Sequence, residues 1–298
     1  MHTEMFFGLR VLVVDELYEA QNEYLSMYHI LQISDLSPDS IEAAQQHGFL
    51  FKPLMLFWLI DLPGSIDQYL QSLSKAQRKS IRRSINAFEH SDLTLTVEET
   101  LNLTTYLTWL DLYRGIVGNF EHGVLIADEQ LFQINQDTLS GVFLYSQKEM
   151  IAGTILQKHP GNILISRFGV IKSSYRQLNL MRFIDYTSVQ LAHTLGCSRF
   201  SLGTDGNIYG YHQSTGLYLY KKSLGLRPVS RRVIKPESPD VLQKIVNFDQ
   251  FSDPCWTLSY GLNRNLRGNL FAKHPVDPTT RQDYTAPFLE DINITYVM

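Results

Sequence analysis

Apolar positions along this chain follow two rhythms: short continuous runs, and stripes spaced three or four residues apart. "LRVLVV" (9–14) is a run of branched and aliphatic side chains and predicts a buried strand. The acidic stretch "ELYEAQNEYLSMYHILQ" (16–32) is helix-prone, and "SPDSIEAAQQHG" (37–48) is punctuated as a helix by Ser37 and Pro38 before it and Gly48 after it. "FLFKPLMLFWLIDL" (49–62) is aromatic and aliphatic but broken at Pro53, which predicts two strands rather than one helix. From 66 to 90, Ile66, Leu70, Leu73, Ile81, Ile85 and Phe88 make one apolar stripe of a long helix. "LTLTVEE" (93–99) alternates like a half-buried strand, and 100–140 reads as helical with a break at "GNFEHG".

The next segment has the clearest order. "GVFLYSQKEMIAGTILQKHPGNILISRFGV" (141–170) predicts three antiparallel strands turning at "SQKE" and "HPGN". A helix, "YRQLNLMRFIDYTSVQLAHTLG", follows and stops at Gly196. Then come a strand, "SRFSLG", a glycine-rich loop, "TDGNIYGYHQSTG", and an aromatic stretch, "LYLYKKSLGLRPVSRR". This succession predicts an α+β or mixed α/β domain. After Pro236 the pattern weakens, and "HPVDPTTRQDYTAP" is loop-like. The expected boundaries are 1–92 with a linking helix at 66–90, 93–235, and an extension at 236–298.

A formal net charge of −4 argues against a general nucleic-acid binder, so the five cations at Lys75, Arg78, Lys79, Arg82 and Arg83 are a local feature. They step by three or four residues along a face different from the apolar stripe. Two cysteines, Cys197 and Cys255, predict free thiols in a reducing compartment, and the absence of a leader or an 18-residue apolar run makes the expected location cytoplasmic. Neither a Walker loop nor a Gly-x-Gly-x-x-Gly turn occurs, so nucleotide hydrolysis and hydride transfer have no support. No His or Cys has a partner at metal-site spacing, and no metal is expected.

The sequence resembles the GNAT acyltransferase superfamily, and within it the Fem-type aminoacyltransferases and the CelD-like acyltransferases. The likeness covers about residues 45–230: "IDL" (60–62), "YLQSLSKAQRKSIRRSIN", "LTLTV", "MIAGTIL", "YRQLNLMRFIDYTSVQLAHTLGCSRFSLG" and "LYLYKKSLG", in that order. It implies a mixed, mainly antiparallel sheet flanked by helices, with a reduced N-terminal lobe. It also implies acyl transfer from acyl carrier protein or acyl-CoA to an amine of a small molecule or peptide, with no tightly bound cofactor. Aminoacyl-tRNA is the alternative donor, and a non-catalytic binding module the other alternative. Two departures stand out. The long charged helical hairpin of some Fem-type enzymes is missing. The pyrophosphate-loop glycines of CoA-using relatives are replaced by Leu178, Asn179 and Leu180, although Arg176 and Gln177 are present.

By the same resemblance, a backbone N–H of a splayed central strand polarises the acyl carbonyl, with Phe168, Gly169 and Val170 the candidates. Arg176, Gln177 and Arg182, beside a helix start, are candidates for a donor phosphate, as are Lys75, Arg78, Lys79 and Arg82. In the loop after the last of these strands, Asp205 or His212 is a candidate base or amine binder, and Tyr218 or Tyr220 a candidate acid or channel wall. Tyr209, Tyr211 and Lys221 are candidates for the acceptor side. The bland alternative is that Asp205 caps a glycine turn, the tyrosines pack on a sheet and the cations are a solvated helix face.

Overall fold

Two residues with positive φ, Phe7 (49°) and Gly8 (87°), reverse the chain between β1 (His2–Phe6) and β2 (Leu9–Val14), the two-residue turn that matches strand twist. This is a computed structural model, and it describes residues 1–16, 27–120 and 123–297. The apolar run of β2 is explained by burial on both faces. Leu12 and Val14 join Leu31, Phe49 and Leu242, while Leu9, Val11 and Val13 join Ile208 and Phe251.

The helix expected through 16–32 falls for 17–26 outside the described residues, and its end is instead β3 (Ile30–Ile33), a buried strand parallel to β2. α1 (Pro38–Gln46) begins at Ser37, whose hydroxyl accepts from the Ser40 amide, and it precedes Gly48 at φ 81°. Pro53 separates β4 (Leu50–Pro53) from β5 (Met55–Asp61) as expected.

The single helix expected over 66–90 is two, α2 (Ile66–Ser72) and α3 (Lys75–Glu89). The reason is a capping box: Ser74 Oγ accepts from the Gln77 amide and Gln77 Oε1 from the Ser74 amide, so Ser74 starts a new helix. β6 (Leu93–Glu98), α4 (Leu103–Val117) and α5 (Glu129–Asn135) follow, with Glu121 and His122 of the expected break outside the described residues. The antiparallel run β7 (Leu139–Ser146), β8 (Glu149–His159), β9 (Ile163–Ile171) is as expected.

α6 (Leu180–Thr194) begins five residues later than the expected helix, after a 3-10 turn at Ser173–Leu178, and β10 (Arg199–Gly206) follows. The aromatic stretch around Tyr218 begins as a helix, α7 (Thr215–Ser223). The loop-like tail is structured: β11 (Arg227–Ser230), β12 (Asp240–Ile245), β13 (Cys255–Tyr260), β14 (Leu266–Ala272), α8 (Pro278–Tyr284) and β15 (Leu289–Tyr296).

The chain packs as two units, divided elsewhere than at the expected boundaries. One holds 1–57, 204–222 and 227–298. Its five-stranded sheet runs β1-β2-β3-β12-β4, and a second sheet runs β13-β14-β15. β12 pairs antiparallel with β3 on one side and β4 on the other, so the tail after Pro236 completes the N-terminal sheet rather than extending the protein. The other unit holds 58–203 and 223–226. From β5 its strands run β5-β10-β9-β8-β7-β6, antiparallel from β9 to β6, with β10 parallel to β9. The sheet is mixed and mainly antiparallel, flanked by helices, the arrangement implied by the GNAT resemblance. No helix among the described residues is long and apolar enough to cross a membrane.

Candidate active site

Parallel strands β9 and β10 stay together for only three pairs, Ile163–Arg199, Leu164–Phe200 and Ile165–Ser201, although both continue further. Gly203 marks the parting. Its φ is +73°, its amide donates to Ser201 Oγ at 3.0 Å, and a Cβ there would stand 3.2 Å from the Ser166 carbonyl oxygen. On the other side of β9 the ladder also breaks: Ile155 pairs with Phe168 and Leu156 with Ser166, so Arg167 is an extra residue, a β-bulge. Behind it, the buried hydroxyls of Thr154 and Ser166 lie 2.9 Å apart.

The bulge exposes the middle of a central strand. Arg167 and Gly169 are exposed while 163–166, Val170 and Ile171 are buried. The Lys172 amide donates to the Ile151 carbonyl at 2.9 Å, and this sets the alternation along β9. The amides of Phe168 and Val170 turn toward β8, and those of Gly169 and Ile171 toward the gap left by β10. Of the three amide candidates, geometry therefore singles out Gly169; Phe168 and Val170 are corrected to ladder donors. The Phe168 ring packs near Trp109 and edge-on to Tyr113, with the Arg167 guanidinium over it and also donating to Gln157 Oε1 at 2.7 Å. A Cβ at Gly169 would meet the flexible Met181 methyl at 2.8 Å and displace it.

Beyond β9, the segment aligned with a pyrophosphate loop spends three of its amides locally. Tyr175 donates to Lys172, Asn179 to Arg176, and Arg182 to Asn179. Asn179 has φ 55° and makes no side-chain cap. Arg176 is exposed over the Phe120 ring in the 3-10 turn, Gln177 is exposed, and Arg182 donates to Ser223 Oγ at 2.7 Å. Arg176 thus precedes the helix rather than standing at its first turn.

Lys75, Lys79, Arg82 and Arg83 of α3 are exposed. Arg78 is a correction: its guanidinium turns back onto the carbonyls of Leu70, Gln71 and Leu73, capping α2. Arg78→Met is therefore expected to cost about 1–2 kcal/mol, read as faster amide hydrogen exchange in α2. Unchanged exchange there would show that the cap is idle.

The remaining candidates lie in the other unit. Asp205 is buried, with Lys221 Nζ at 2.6 Å and the Tyr209 hydroxyl donating at 3.0 Å. A base must be reachable, and this carboxylate is committed to an internal ion pair. Tyr209 and Lys221, expected to face the acceptor, are buried as its partners. Tyr218, expected as an acid, is wholly buried, donates to the Tyr284 carbonyl at 3.1 Å and is pushed far above the usual phenol range by burial. Tyr211 is half-buried against Phe251, His212 stacks on Phe7 with ring centres 4.9 Å apart, and Tyr220 is half-buried on α7. Among the described residues no group of three or more His, Cys, Asp or Glu could hold a metal.

Sequence reasoning missed Ser166, Ser201, Gly203 and the bulge at Arg167. Only the lone glycines at 169 and 203 hinted at them.

No family model and no curated protein matches this sequence. Among solved structures it is similar to FemX, at 12% identity over 80% of this chain and 81% of that chain, with a TM-score of 0.48. It is similar also to L-PGS from Bacillus licheniformis, at 16% identity over 80% and 78% of the two chains with a TM-score of 0.40. AAC(6')-Iy, in complex with a bisubstrate analogue, matches 48% of this chain and 96% of its own at 13% identity, with a TM-score of 0.36. With TM-scores below 0.5, these are likenesses of outline and carry no chemistry to this chain.

Proposed function

We propose that this chain is an N-acyltransferase that moves an acyl group from a carrier-linked thioester, on acyl carrier protein or CoA, to an amine of a small molecule or peptide. The observation behind it is the parting of β9 and β10, with the Gly169 amide turned into the gap beside a bulge. Amine attack on a thioester carbonyl creates an oxyanion, and a fixed N–H aimed at that oxygen lowers the barrier without reorganisation. The C–N bond forms as the C–S bond breaks, the thiolate takes a proton and the amine gives one up.

The test is incubation with acyl-carrier and acyl-CoA mixtures and an amine pool, reading free thiol and acylated amine. Gly169→Pro removes the N–H and is expected to lower turnover about 100-fold. Gly169→Ala keeps the N–H, and displacement of the flexible Met181 methyl leaves activity within a few fold. Equal turnover in a folded Gly169→Pro variant would overturn the assignment, and so would product formation only from aminoacyl-tRNA with loss on ribonuclease treatment.

A further inference from the structure

α3 is built against its own electrostatics. Lys75 is its first residue, and Lys79, Arg82 and Arg83 follow on roughly 100° of its circumference. Cations at a helix N-terminus oppose the macrodipole, and Lys75/Lys79 and Lys79/Arg83 are like-charge pairs at the repulsive i,i+4 spacing. The helix's one acid, Glu89, sits at the C-terminal end, where it too is unfavourable. Among the described residues, none of these four cations forms an ion pair. The helix holds them rigidly nonetheless: the Ser74–Gln77 box fixes its start, Ile81 and Ser84 are buried, and the Phe88 ring stacks on Phe183 at 4.3 Å.

That last contact connects α3 to the candidate site. Phe183 lies in the first turn of α6, the same turn as Met181, whose methyl lies against Gly169. α3 therefore packs on the helix that borders the gap, with its four exposed cations on the face away from Phe88. We infer that α3 is the docking surface for an acidic protein that carries the acyl group on a thioester arm. This inference rests on the acyl-transfer reading for its purpose, and its binding measurement stands apart from turnover.

Two observations favour an acidic protein over other anions. A free nucleotide donor would draw on the amides after β9, and three of them, those of Tyr175, Asn179 and Arg182, already bond within the segment. An RNA surface usually adds exposed aromatics for stacking, whereas the aromatic of α3, Phe88, is already stacked, and the net charge of −4 suits a partner of modest rather than very high charge.

The experiment titrates the full chain with a holo acyl carrier protein at several salt concentrations, with tRNA and anionic lipid vesicles as competing probes. Arg82→Glu/Arg83→Glu and, separately, Lys75→Glu/Lys79→Glu are expected to slow carrier association about 10- to 100-fold and flatten its salt dependence. Where acyl transfer is observed, KM for the carrier-linked donor rises while kcat holds. Carrier binding that is lost in these variants, without any acyl transfer by wild type, upholds the docking and rejects the enzymatic reading. Carrier binding unchanged by charge reversal, or tighter α3-dependent binding of tRNA or vesicles, overturns the docking.

Discussion

Lys221→Met is expected to destabilise the unit containing it by about 3–5 kcal/mol, a large share of the total stability of a typical domain. Both partners are desolvated: the Lys221 and Asp205 side chains are 7% and 4% exposed, with Nζ and Oδ1 2.6 Å apart. Removing the ammonium leaves a buried carboxylate supported by the Tyr209 hydroxyl and by Gln213 Nε2 at 3.5 Å. Asp205→Asn should cost less, because an amide oxygen still accepts from Lys221. The double variant Asp205→Asn/Lys221→Met should lose less than the sum of the two, since neither leaves the other charge stranded. Urea titrations followed by amide exchange in β10 and α7 test this. A loss below about 1 kcal/mol for Lys221→Met would mean that the pair is solvated and worth no more than a surface bridge.

Asp205 also illustrates what the sequence could and could not disclose. Residue type and proximity to glycines nominated it for catalysis, but its burial depends on Lys221, which α7 brings back sixteen residues later. The "LYLY" alternation did not disclose α7, because four residues cannot distinguish a period of 2 from one turn of a helix. The break before α3 was readable: Ser74 and Gln77 stand at capping-box spacing, but the apolar stripe running through them masked it. The β7–β9 run and α6 were legible because their patterns are local and their turns short. β12 was not. "DVLQKI" earns its place between β3 and β4 from partners some 200 residues away, and local periodicity carries no trace of such pairing. The parting of β9 from β10 is illegible for the same reason, since a strand's own residues do not say where its neighbour leaves.

Raising the pH from 7 to 9 is expected to stabilise the unit containing β4 by about 2 kcal/mol, through Lys52. This side chain is buried and donates to two neutral acceptors, the Asn207 carbonyl at 2.7 Å and Thr257 Oγ1 at 3.1 Å. Asn207 is itself pinned, donating to the Pro53 and Leu258 carbonyls and accepting from the Leu258 amide. Burial pulls Lys52 from its ordinary 10.5 to about 7, partly opposed by the nearby Cys255. Between those values the unfolded chain binds a proton that the folded one does not, so stability rises with pH by about 1.4 kcal/mol per unit. Below pH 7 both states are protonated and the penalty is constant. Cys255 acts in the opposite sense, because burial pushes its thiol from 9.0 to about 12. Above pH 9 the unfolded thiol ionises first, and its loss cancels the lysine's gain up to about 10.5. The curve should therefore climb from 7, flatten near 9 and fall from about 10, where Tyr218, Tyr260 and Tyr284, all pushed up by burial, ionise first in the unfolded chain. His29, held low by burial and Arg10, and Lys222, also lowered by burial, act in the same sense as Lys52, each below its own ordinary value. Lys52→Met isolates the lysine: it should remove most of the 7–9 limb, and the Asn207 carbonyl keeps Thr257 as a donor. Urea midpoints at pH 7, 8, 9 and 10, with exchange of β4 and β13 amides, measure it. A wild-type midpoint that stays level or falls between pH 7 and 9 would place a charged, solvated ammonium at position 52.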